Sequence, residues 1–432
     1  MNKVISCPKA LLSSIADGNA IVFCQYEKPD CSGVGWFGKM LPREIRAKGF
    51  EVDSLAWDFT TIALSVAAAD ASIPRKRNSD GWTREIDLVV YVHNPLIWSG
   101  VSVRFERMLR FLTGDLWHVS FTEGGASLPK RPMRPNRNTY GPRYGISDCV
   151  ALLSGGMDSL IGCIDLVAKG HKPVFVSQRV NSNTEQQQAF ANVISPLSPL
   201  LQWSKAIKCP VKGTEPSTRG RSIVFFAFAT LAACAIRKQG LEKVPIYVSE
   251  NGFISLNIGL NPGRIGSLST KTTHPVYMQQ LQEIWDAVGI RCSLILPYKF
   301  KTKGEMVAGC KNQEILKTLI DSSTSCSRFG THGRRHCGRC VPCIVRAAAY
   351  LKAGFADNTD YKFLTEGFRR KCGADDIGAL SGACKRMDCP DFESSIAGDF
   401  LFASADEAPK FNDVYKRGLM EIGAYLRKRE IL

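Results

Sequence analysis

Apolar residues in the first part of the chain recur with the periods of both strands and helices. Residues 86–92 form a run of apolar and β-branched positions, as in a strand. Trp117, Val119 and Phe121 alternate with polar positions, as they would in a second strand. Between these runs, residues 102–112 place their apolar side chains near one side of a helix. The mixture predicts that the chain begins with an α+β domain.

From residue 147 onward, short apolar runs alternate regularly with helical stretches. The predicted strands are residues 149–153, 173–177 and 246–249, and the predicted helices are residues 158–168, 185–193 and 222–238. Strands that alternate with helices imply an α/β fold with a doubly wound parallel sheet and right-handed crossovers. Such a sheet binds its ligands at the carboxyl ends of its strands.

These patterns divide the chain into four segments. Residues 127–146 are rich in proline, arginine, asparagine and glycine and keep no period, which is typical of a linker. The predicted segments are an N-terminal α+β domain (1–126), this basic linker (127–146), the α/β domain (147–365) and a helical C-terminal extension (366–432). The clearest amphipathic helix of the extension covers residues 414–426.

Composition places the chain among ordinary globular proteins. It has 432 residues, of which 44% are hydrophobic and 22% charged, and it contains no internal sequence repeat. The longest apolar run, residues 223–236, is shorter than the about 20 residues that cross a bilayer, so it predicts a buried helix. No apolar block of a signal peptide follows the N-terminus, and we expect a cytoplasmic protein without membrane contact.

The net charge of +16 leaves two interpretations open. A basic chain can bind nucleic acid or another polyanion. Sites for ATP and for anionic substrates need cations as well, so the charge alone does not decide between these ligands.

A glycine-rich turn joins the first predicted strand of the α/β domain to its helix. Two glycines let the backbone approach an anion, and the N–H groups of the helix N-terminus point at that anion. The carboxylate of Asp158 can hold Mg²⁺, and no lysine of a Walker loop is present, which argues against β–γ phosphate cleavage. A plain turn with a serine N-cap is the alternative. The predicted ATP-binding residues are Leu153, Ser154, Gly155, Gly156, Met157, Asp158 and Ser159.

Four of the sixteen cysteines predict a structural zinc site. Cys337, Cys340 and Cys343 form a C-x2-C-x2-C pattern that Cys326 precedes, and four thiolates make a closed tetrahedral site. Alternatives are three unpaired thiols in a basic loop, a redox C-x-x-C pair, or His332 or His336 replacing Cys326 as a ligand. The spacing of three later cysteines fits no standard zinc pattern, and we interpret them as structural thiols, with a second metal as the alternative: Cys372, Cys384 and Cys389.

The Ser-Gly-Gly-x-Asp-Ser string resembles the signature of PP-loop ATP pyrophosphatases. That resemblance implies cleavage of ATP between its α and β phosphates and transfer of AMP to an oxygen of the substrate. Five further segments resemble the 7-cyano-7-deazaguanine synthases (QueC) of this family: residues 177–179, 302–305, 324–326, 337–346 and 353–361. The resemblance covers about half of the chain.

The chain also departs from those synthases. Asn358 replaces a proline, and Ser177 and Val180 replace a glycine and a histidine of their motifs. The extra N-terminal domain, together with residues 249–252 and 269–275, is similar to the QueC-like components of bacterial anti-phage defence systems. This similarity implies partners among the other proteins of such a complex.

The resemblance implies a reaction and candidate residues for it. The carboxylate of 7-carboxy-7-deazaguanine would attack the α-phosphorus of ATP, and an amine would then displace AMP to give an amide. A nitrile, which is the amide minus one water, is the alternative final product. Asp158 with Mg²⁺, Lys303 and Arg221 are the catalytic candidates. Candidates for substrate binding are Gln178, Arg179, Arg219, Glu250, Asn251, Lys271 and His274.

Structural roles compete with several of these assignments. Arg221 can be a solvated residue beside a helix, His274 a packed core histidine, and Glu250 with Asn251 a capped turn. Two other functions also remain open for the whole chain. One is a PP-loop tRNA-modifying sulfurtransferase, which the charge favours, and the other is a nucleotide-binding scaffold without catalysis.

Overall fold

The computed structural model describes residues 2–15, 18–78, 80–130, 144–179, 183–211, 213–236, 241–260, 271–363 and 375–432. Within them the strands are β1 (Asn2–Cys7), β2 (Ile21–Gln25), β3 (Gly35–Phe37), β4 (Glu85–Val92), β5 (Leu116–Glu123), β6 (Cys149–Leu152), β7 (Pro173–Gln178), β8 (Leu200–Trp203), β9 (Val244–Tyr247) and β10 (Cys292–Ile295).

The α-helices of the same residues are α1 (Leu41–Lys48), α2 (Ser54–Ser72), α3 (Pro95–Ser99), α4 (Ser102–Thr113), α5 (Met157–Ala168), α6 (Thr184–Ile194), α7 (Ser222–Cys234), α8 (Gly252–Leu256), α9 (Pro275–Val288), α10 (Lys303–Ala308), α11 (Gln313–Leu319), α12 (Val341–Ala353), α13 (Ile377–Arg386), α14 (Phe392–Ala397) and α15 (Ala408–Lys428).

The first sheet consists of parallel strands in the order β3-β2-β1-β4-β5. Helices lie between β3 and β4 and between β4 and β5, as crossovers of parallel strands require. The predicted α+β class of the N-terminal domain is therefore wrong, and this part of the chain is α/β. The predicted strands β4 and β5 and helix α4 are confirmed, whereas the short strands β1, β2 and β3 had no distinctive pattern.

The second sheet is also parallel, in the order β10-β9-β6-β7-β8, which confirms the parallel sheet predicted from residue 147 onward. Its strand order runs outward in both directions from β6, as in a doubly wound sheet. The predicted strand at 246–249 lies two residues earlier, at Val244–Tyr247. The helix predicted at 222–238 ends at Cys234, and residues 237–240 lie outside the described part of the chain.

A single hydrophobic core joins the two sheets. Helix α2 packs on the first sheet, α7 packs on the second, and the two helices pack on each other between them. Asp70 on α2 adds a polar link, because it pairs with Arg84 at 2.5 Å and accepts the backbone N–H groups of Arg219 and Gly220 at 2.7 Å each. We call the part of the chain that forms the first sheet and its helices the first unit, and the part that forms the second sheet and its helices the second unit. The second unit is thus anchored on the last turn of α2.

Helices α13, α14 and α15 form a separate core with α8 and α12. Within the described residues, no helix is long and apolar enough to cross a membrane. Residues 131–143 of the predicted linker lie outside the described ranges, and the three predicted boundaries between the four segments stay predictions.

Candidate active site and metal centre

The glycine-rich turn lies at the carboxyl end of β6, in the middle of the second sheet. Gly155 has φ +88°, a conformation that residues with a Cβ rarely adopt. The Ser159 hydroxyl accepts the Ser154 N–H at 3.1 Å, and the two hydroxyl oxygens are 3.0 Å apart. Leu153 and Met157 are buried on either side of the turn. The serines therefore brace the turn, which ends where α5 begins.

Asp158, in the first turn of α5, is the centre of a buried polar cluster. One carboxylate oxygen pairs with the ammonium of Lys303 at 2.5 Å. The other accepts the Asn251 side-chain amide at 2.6 Å and the Asn251 backbone N–H at 3.1 Å. Asp158 is 5% exposed and Lys303 is 8% exposed, so this ion pair is shielded from bulk water. The structure brings together three residues that are 145 positions apart at most.

Glu250, the residue before Asn251, is hydrogen-bonded to Asp158 in this cluster. Burial and the nearby charge of Asp158 raise the pKa of Glu250 well above its ordinary value, and a hydrogen bond to Asp158 adds to the shift. Burial opposes ionisation of Asp158 too, but the charge of Lys303 and hydrogen bonds from its neighbours lower its pKa below the ordinary value. Glu250 thus favours its protonated form and Asp158 its ionised form. In their hydrogen bond the Glu250 carboxyl therefore donates and the Asp158 carboxylate accepts.

Local structure explains why these side chains meet. Helix α5 approaches the end of β9 closely, since a Cβ at Gly162 would lie 1.9 Å from the Ser249 hydroxyl oxygen. Asn251 then caps α8, because its side-chain oxygen accepts the Ile254 N–H at 3.0 Å. The predicted capped turn and the contact with Asp158 therefore coexist in one asparagine.

Lys303 is positioned by the start of α10 and by the C-terminal helix. Thr302 and Glu305 form a reciprocal capping box around it. The carboxylate of Glu421 on α15 accepts the Thr302 hydroxyl and the Gly304 N–H. Glu421 was missed in the sequence because nothing at its own position distinguishes it from a surface glutamate of an amphipathic helix.

Gln187 is a second residue that sequence reasoning missed. Its side-chain amide donates to the Ser154 carbonyl at 3.1 Å and to the Gln178 carbonyl at 3.3 Å. It therefore links the glycine-rich turn to the end of β7. Of the residues predicted there, Gln178 ends β7, while Arg179 forms an ion pair with Glu44 of α1.

Besides Arg179, four predicted cations or histidines lie outside the Asp158 cluster. Arg219 is buried, donates to the Thr113 carbonyl at 3.1 Å and lies over the ring of Trp82. Lys271 lies over the ring of Phe111, 4.2 Å from its centroid. These contacts place both residues against the first unit of the chain.

His274 and Arg221 also have structural surroundings. His274 caps α9, and its Nδ1 accepts the Val276 N–H at 3.2 Å. Its ring packs between Phe111 and Phe402, and burial with the charge of Lys271 lowers its pKa to about 4. Arg221 is exposed immediately before α7. Arg221 is therefore a solvated residue beside a helix, and His274 is a packed core histidine, as the structural alternatives proposed.

A cavity of about 370 Å³ opens beside Glu250. Its apolar walls include Met278, Leu294, Leu296 and Phe402. A ligand in this cavity would contact Glu250, the residue whose carboxyl group is hydrogen-bonded to Asp158.

The four predicted zinc ligands come together as a buried cluster. Their sulfur atoms all lie within 4.8 Å of one another. Those of Cys337 and Cys343 are 3.8 Å apart, and tetrahedral ligands at about 2.3 Å from a zinc ion are about 3.8 Å apart. The N–H groups of Arg339 and Cys340 donate to the Cys337 sulfur at 3.4 and 3.3 Å. The cluster therefore fits a structural metal such as zinc.

Neither histidine of this region replaces a cysteine in the cluster. His336 is buried, and its Nε2 accepts the Ser325 N–H at 3.1 Å, which engages it outside the metal-ligand group. His332 is also absent from that group within the described residues. Cys384 is buried and its thiol donates to the Leu419 carbonyl, Cys389 is exposed, and Cys372 lies outside the described residues.

Comparisons of the chain with protein-family models, with curated proteins and with solved structures find no match.

Proposed function

We propose that this chain uses ATP to adenylate a carboxylate and then forms a C–N bond with the activated acid. The observation that carries the proposal is the buried Asp158–Lys303 pair, which adjoins a glycine-rich turn and a helix N-terminus at the centre of a parallel sheet. Ligands of such sheets lie where the strand order reverses. An intact buried charge pair at that position favours catalysis over a scaffold.

The proposed first step joins the acid to AMP. A carboxylate oxygen attacks the α-phosphorus of ATP, the bond from that phosphorus to the bridging oxygen breaks, and pyrophosphate leaves. The N–H groups around Gly155 and Gly156 would bind the phosphates. The Lys303 ammonium would stabilise charge that develops on the phosphorus, while Asp158 and Asn251 hold its position.

Mg²⁺ accompanies ATP in this proposal and neutralises its phosphate charge. Asp158 already accepts hydrogen bonds at both oxygens, and a carboxylate has about four acceptor positions. Lys303, Glu250 and both Asn251 N–H groups occupy these positions, so Mg²⁺ bound directly or through water would replace one of these donors.

The proposed second step releases AMP. A neutral amine attacks the acyl carbon, the bond from that carbon to the AMP oxygen breaks, and the amine loses its proton. Sequence resemblance to 7-cyano-7-deazaguanine synthases identifies 7-carboxy-7-deazaguanine as the candidate acid. Resemblance to anti-phage components suggests that the acceptor amine belongs to a partner protein of a bacterial defence complex.

A pyrophosphate-release assay tests the first step. The zinc-loaded protein is incubated with ATP, Mg²⁺ and 7-carboxy-7-deazaguanine, and we expect release that requires the acid. Asp158→Asn should lower the rate at least about a hundredfold. Asp286→Asn is the matched control, because Asp286 also pairs with a lysine but at an exposed site. Absence of release from folded protein with this acid would overturn the substrate assignment.

Mass spectrometry tests the second step. A partner protein that becomes heavier by the acid minus one water would confirm conjugation. Free amide or nitrile with unchanged partner mass would instead show a small-molecule amine as acceptor. Release of thiolated tRNA would contradict the proposal and favour a sulfurtransferase.

A further inference from the structure

The two sheets of the chain have the same strand order, yet their carboxyl ends differ. In the second sheet the central strand β6 leads into the glycine-rich turn. In the first sheet the central strand β1 leads into Pro8 and a short 3₁₀ helix, Lys9–Ser14. A cleft of about 970 Å³ opens at this edge, and no part of the proposed adenylation uses it.

The floor of this cleft, which we call the N-terminal cleft, is organised by Gln25 at the end of β2. The buried Gln25 amide donates to the carbonyls of Ser6 on β1 and Tyr91 on β4, at 2.9 and 3.0 Å. Its oxygen accepts the Ala126 N–H at 3.2 Å. Ala126 in turn accepts the Trp57 indole N–H at 2.9 Å. These bonds hold the ends of β1, β2 and β4 together, and they place the segment after β5 across those ends.

The walls of the N-terminal cleft are strongly basic. Six of its lining residues are cations from four separate segments: Lys9, Lys28, Lys39, Arg43, Arg46 and Lys130. Lys9 pairs with Asp30, whereas the other five have no ion pair within the described part of the chain. Glu27 is the single acidic residue of the lining. An electropositive surface of this kind attracts a polyanion.

We propose that the N-terminal cleft binds the phosphodiester backbone of a nucleic-acid strand. The five cations without ion pairs are exposed and spread along an open cleft, as contacts to successive phosphates require. A compact nucleotide fits less well, because the turn after β1 has no glycine and Pro8 offers no N–H to a phosphate.

The same lining predicts binding without base recognition. Its one aromatic residue, Tyr26, is buried and stacks on Trp57 with ring centroids 4.2 Å apart. No exposed ring of the lining can therefore stack on a base. Binding should depend on phosphate charge and little on sequence.

Fluorescence anisotropy with the full-length, zinc-loaded protein tests the proposal. The probe is a labelled single-stranded DNA of about 30 nucleotides and mixed sequence, longer than typical single-strand sites. The test variant is Arg43→Glu/Arg46→Glu, on one face of α1. Its control is Arg104→Glu/Arg107→Glu, which changes the charge equally at two exposed arginines with the same spacing on α4.

We expect the cleft variant to bind at least tenfold more weakly than the wild type, and the control variant to change less than threefold. The slope of log affinity against log salt should become less negative by about 1.4 in the cleft variant, since each lost phosphate contact removes about 0.7. Equal losses in the two variants would overturn the proposal, because they would reflect net charge alone. Absence of binding at low salt would overturn it as well.

Competitors and other probes define the ligand. RNA and duplex DNA of equal length show which form of the backbone is bound, and either result supports the proposal. Complete displacement by equimolar pyrophosphate, or equally tight binding of polyglutamate, would overturn it in favour of a compact phosphate or an acidic protein. Pyrophosphate release should be unchanged in the cleft variant, so failure here is distinguishable from failure of the adenylation proposal.

Discussion

The backbone N–H of Thr324 donates to the carbonyl of Gly155 at 2.9 Å. This bond ties the chain two residues before the first metal-ligand cysteine to the glycine-rich turn. Cys326 is fixed in the buried thiol cluster, so the metal would hold Thr324 in place against the turn. A metal bound in this cluster and the proposed phosphate site would therefore be mechanically connected.

Loss of the metal should weaken ATP binding as well as stability. We expect Cys326→Ser to lower the zinc content below one ion per chain and to weaken ATP affinity several-fold, because the turn loses its support at Gly155. Metal analysis and calorimetric titration with ATP and Mg²⁺ measure the two effects. Cys384→Ser is the control, since Cys384 is also buried but outside the cluster. Unchanged ATP affinity in metal-free, folded protein would refute the connection.

Removing Lys303 should leave an uncompensated charge on Asp158. We expect Lys303→Met to cost about 3–5 kcal/mol of unfolding free energy, because one partner of a buried ion pair is lost. The double variant Asp158→Asn/Lys303→Met should lose less unfolding free energy than the two single variants lose together, by about 0.5–3 kcal/mol. Urea unfolding measures these values.

An exposed ion pair provides the comparison for this cycle. Lys243 and Asp286 are 2.7 Å apart, with side chains 39% and 44% exposed. Lys243→Met should cost less than about 1 kcal/mol. Similar costs for the two lysine variants would show that burial of the Asp158–Lys303 pair has no energetic consequence.

The C-terminal helix should influence the proposed active site through Glu421. Glu421→Ala removes the acceptor of the Thr302 hydroxyl and the Gly304 N–H, which should cost about 1–3 kcal/mol. We also expect a lower rate of pyrophosphate release, because Lys303 begins the helix that Glu421 holds. Met420→Ala, at a side chain that is 55% exposed, should change neither quantity. Full activity of Glu421→Ala would show that α15 is not needed to position Lys303.

His274 should make stability fall in mild acid. Its pKa is about 4 in the folded protein and 6.5 in the unfolded chain. As the pH falls, this histidine therefore binds a proton in the unfolded chain before it does so in the folded protein. The stabilisation is complete above about pH 6.5 and declines as the pH falls toward 4. Between pH 6.5 and 5 the loss is on the order of 2 kcal/mol.

His274→Asn isolates this contribution. Asparagine can still cap α9 but does not titrate. Urea unfolding at about pH 7.5 and about pH 5 should therefore show a smaller acid-induced loss in the variant than in the wild type. The comparison removes the effect of His336, whose pKa is also lowered to about 4 and which both proteins contain. Identical losses would contradict the packed role of His274.

Hydrophobic period and local motifs were enough to predict the parallel sheet of the second unit and the four cysteines that form the thiol cluster. Both depend on short-range physics: alternating strands and helices imply crossovers, and C-x2-C-x2-C with one further cysteine supplies four thiolates. The order of the strands and the presence of the first parallel sheet were not predicted. Helix α2 lacks a one-sided apolar stripe because it is buried on both sides, by the first sheet and by α7.

The tertiary structure alone decided which predicted site residues meet. Asp158, Asn251 and Lys303 come together because the segments that follow the parallel strands β6, β9 and β10 start at the same edge of the sheet, whereas Arg219, Lys271 and His274 pack against the first unit. Glu421 reaches Thr302 across 119 positions of sequence, and no local pattern encodes that contact. The amino-acid sequence determined which chemical groups are present and where strands and helices alternate. Their partners depend on how distant elements pack, since a side chain's burial and charge environment exist only in the folded chain.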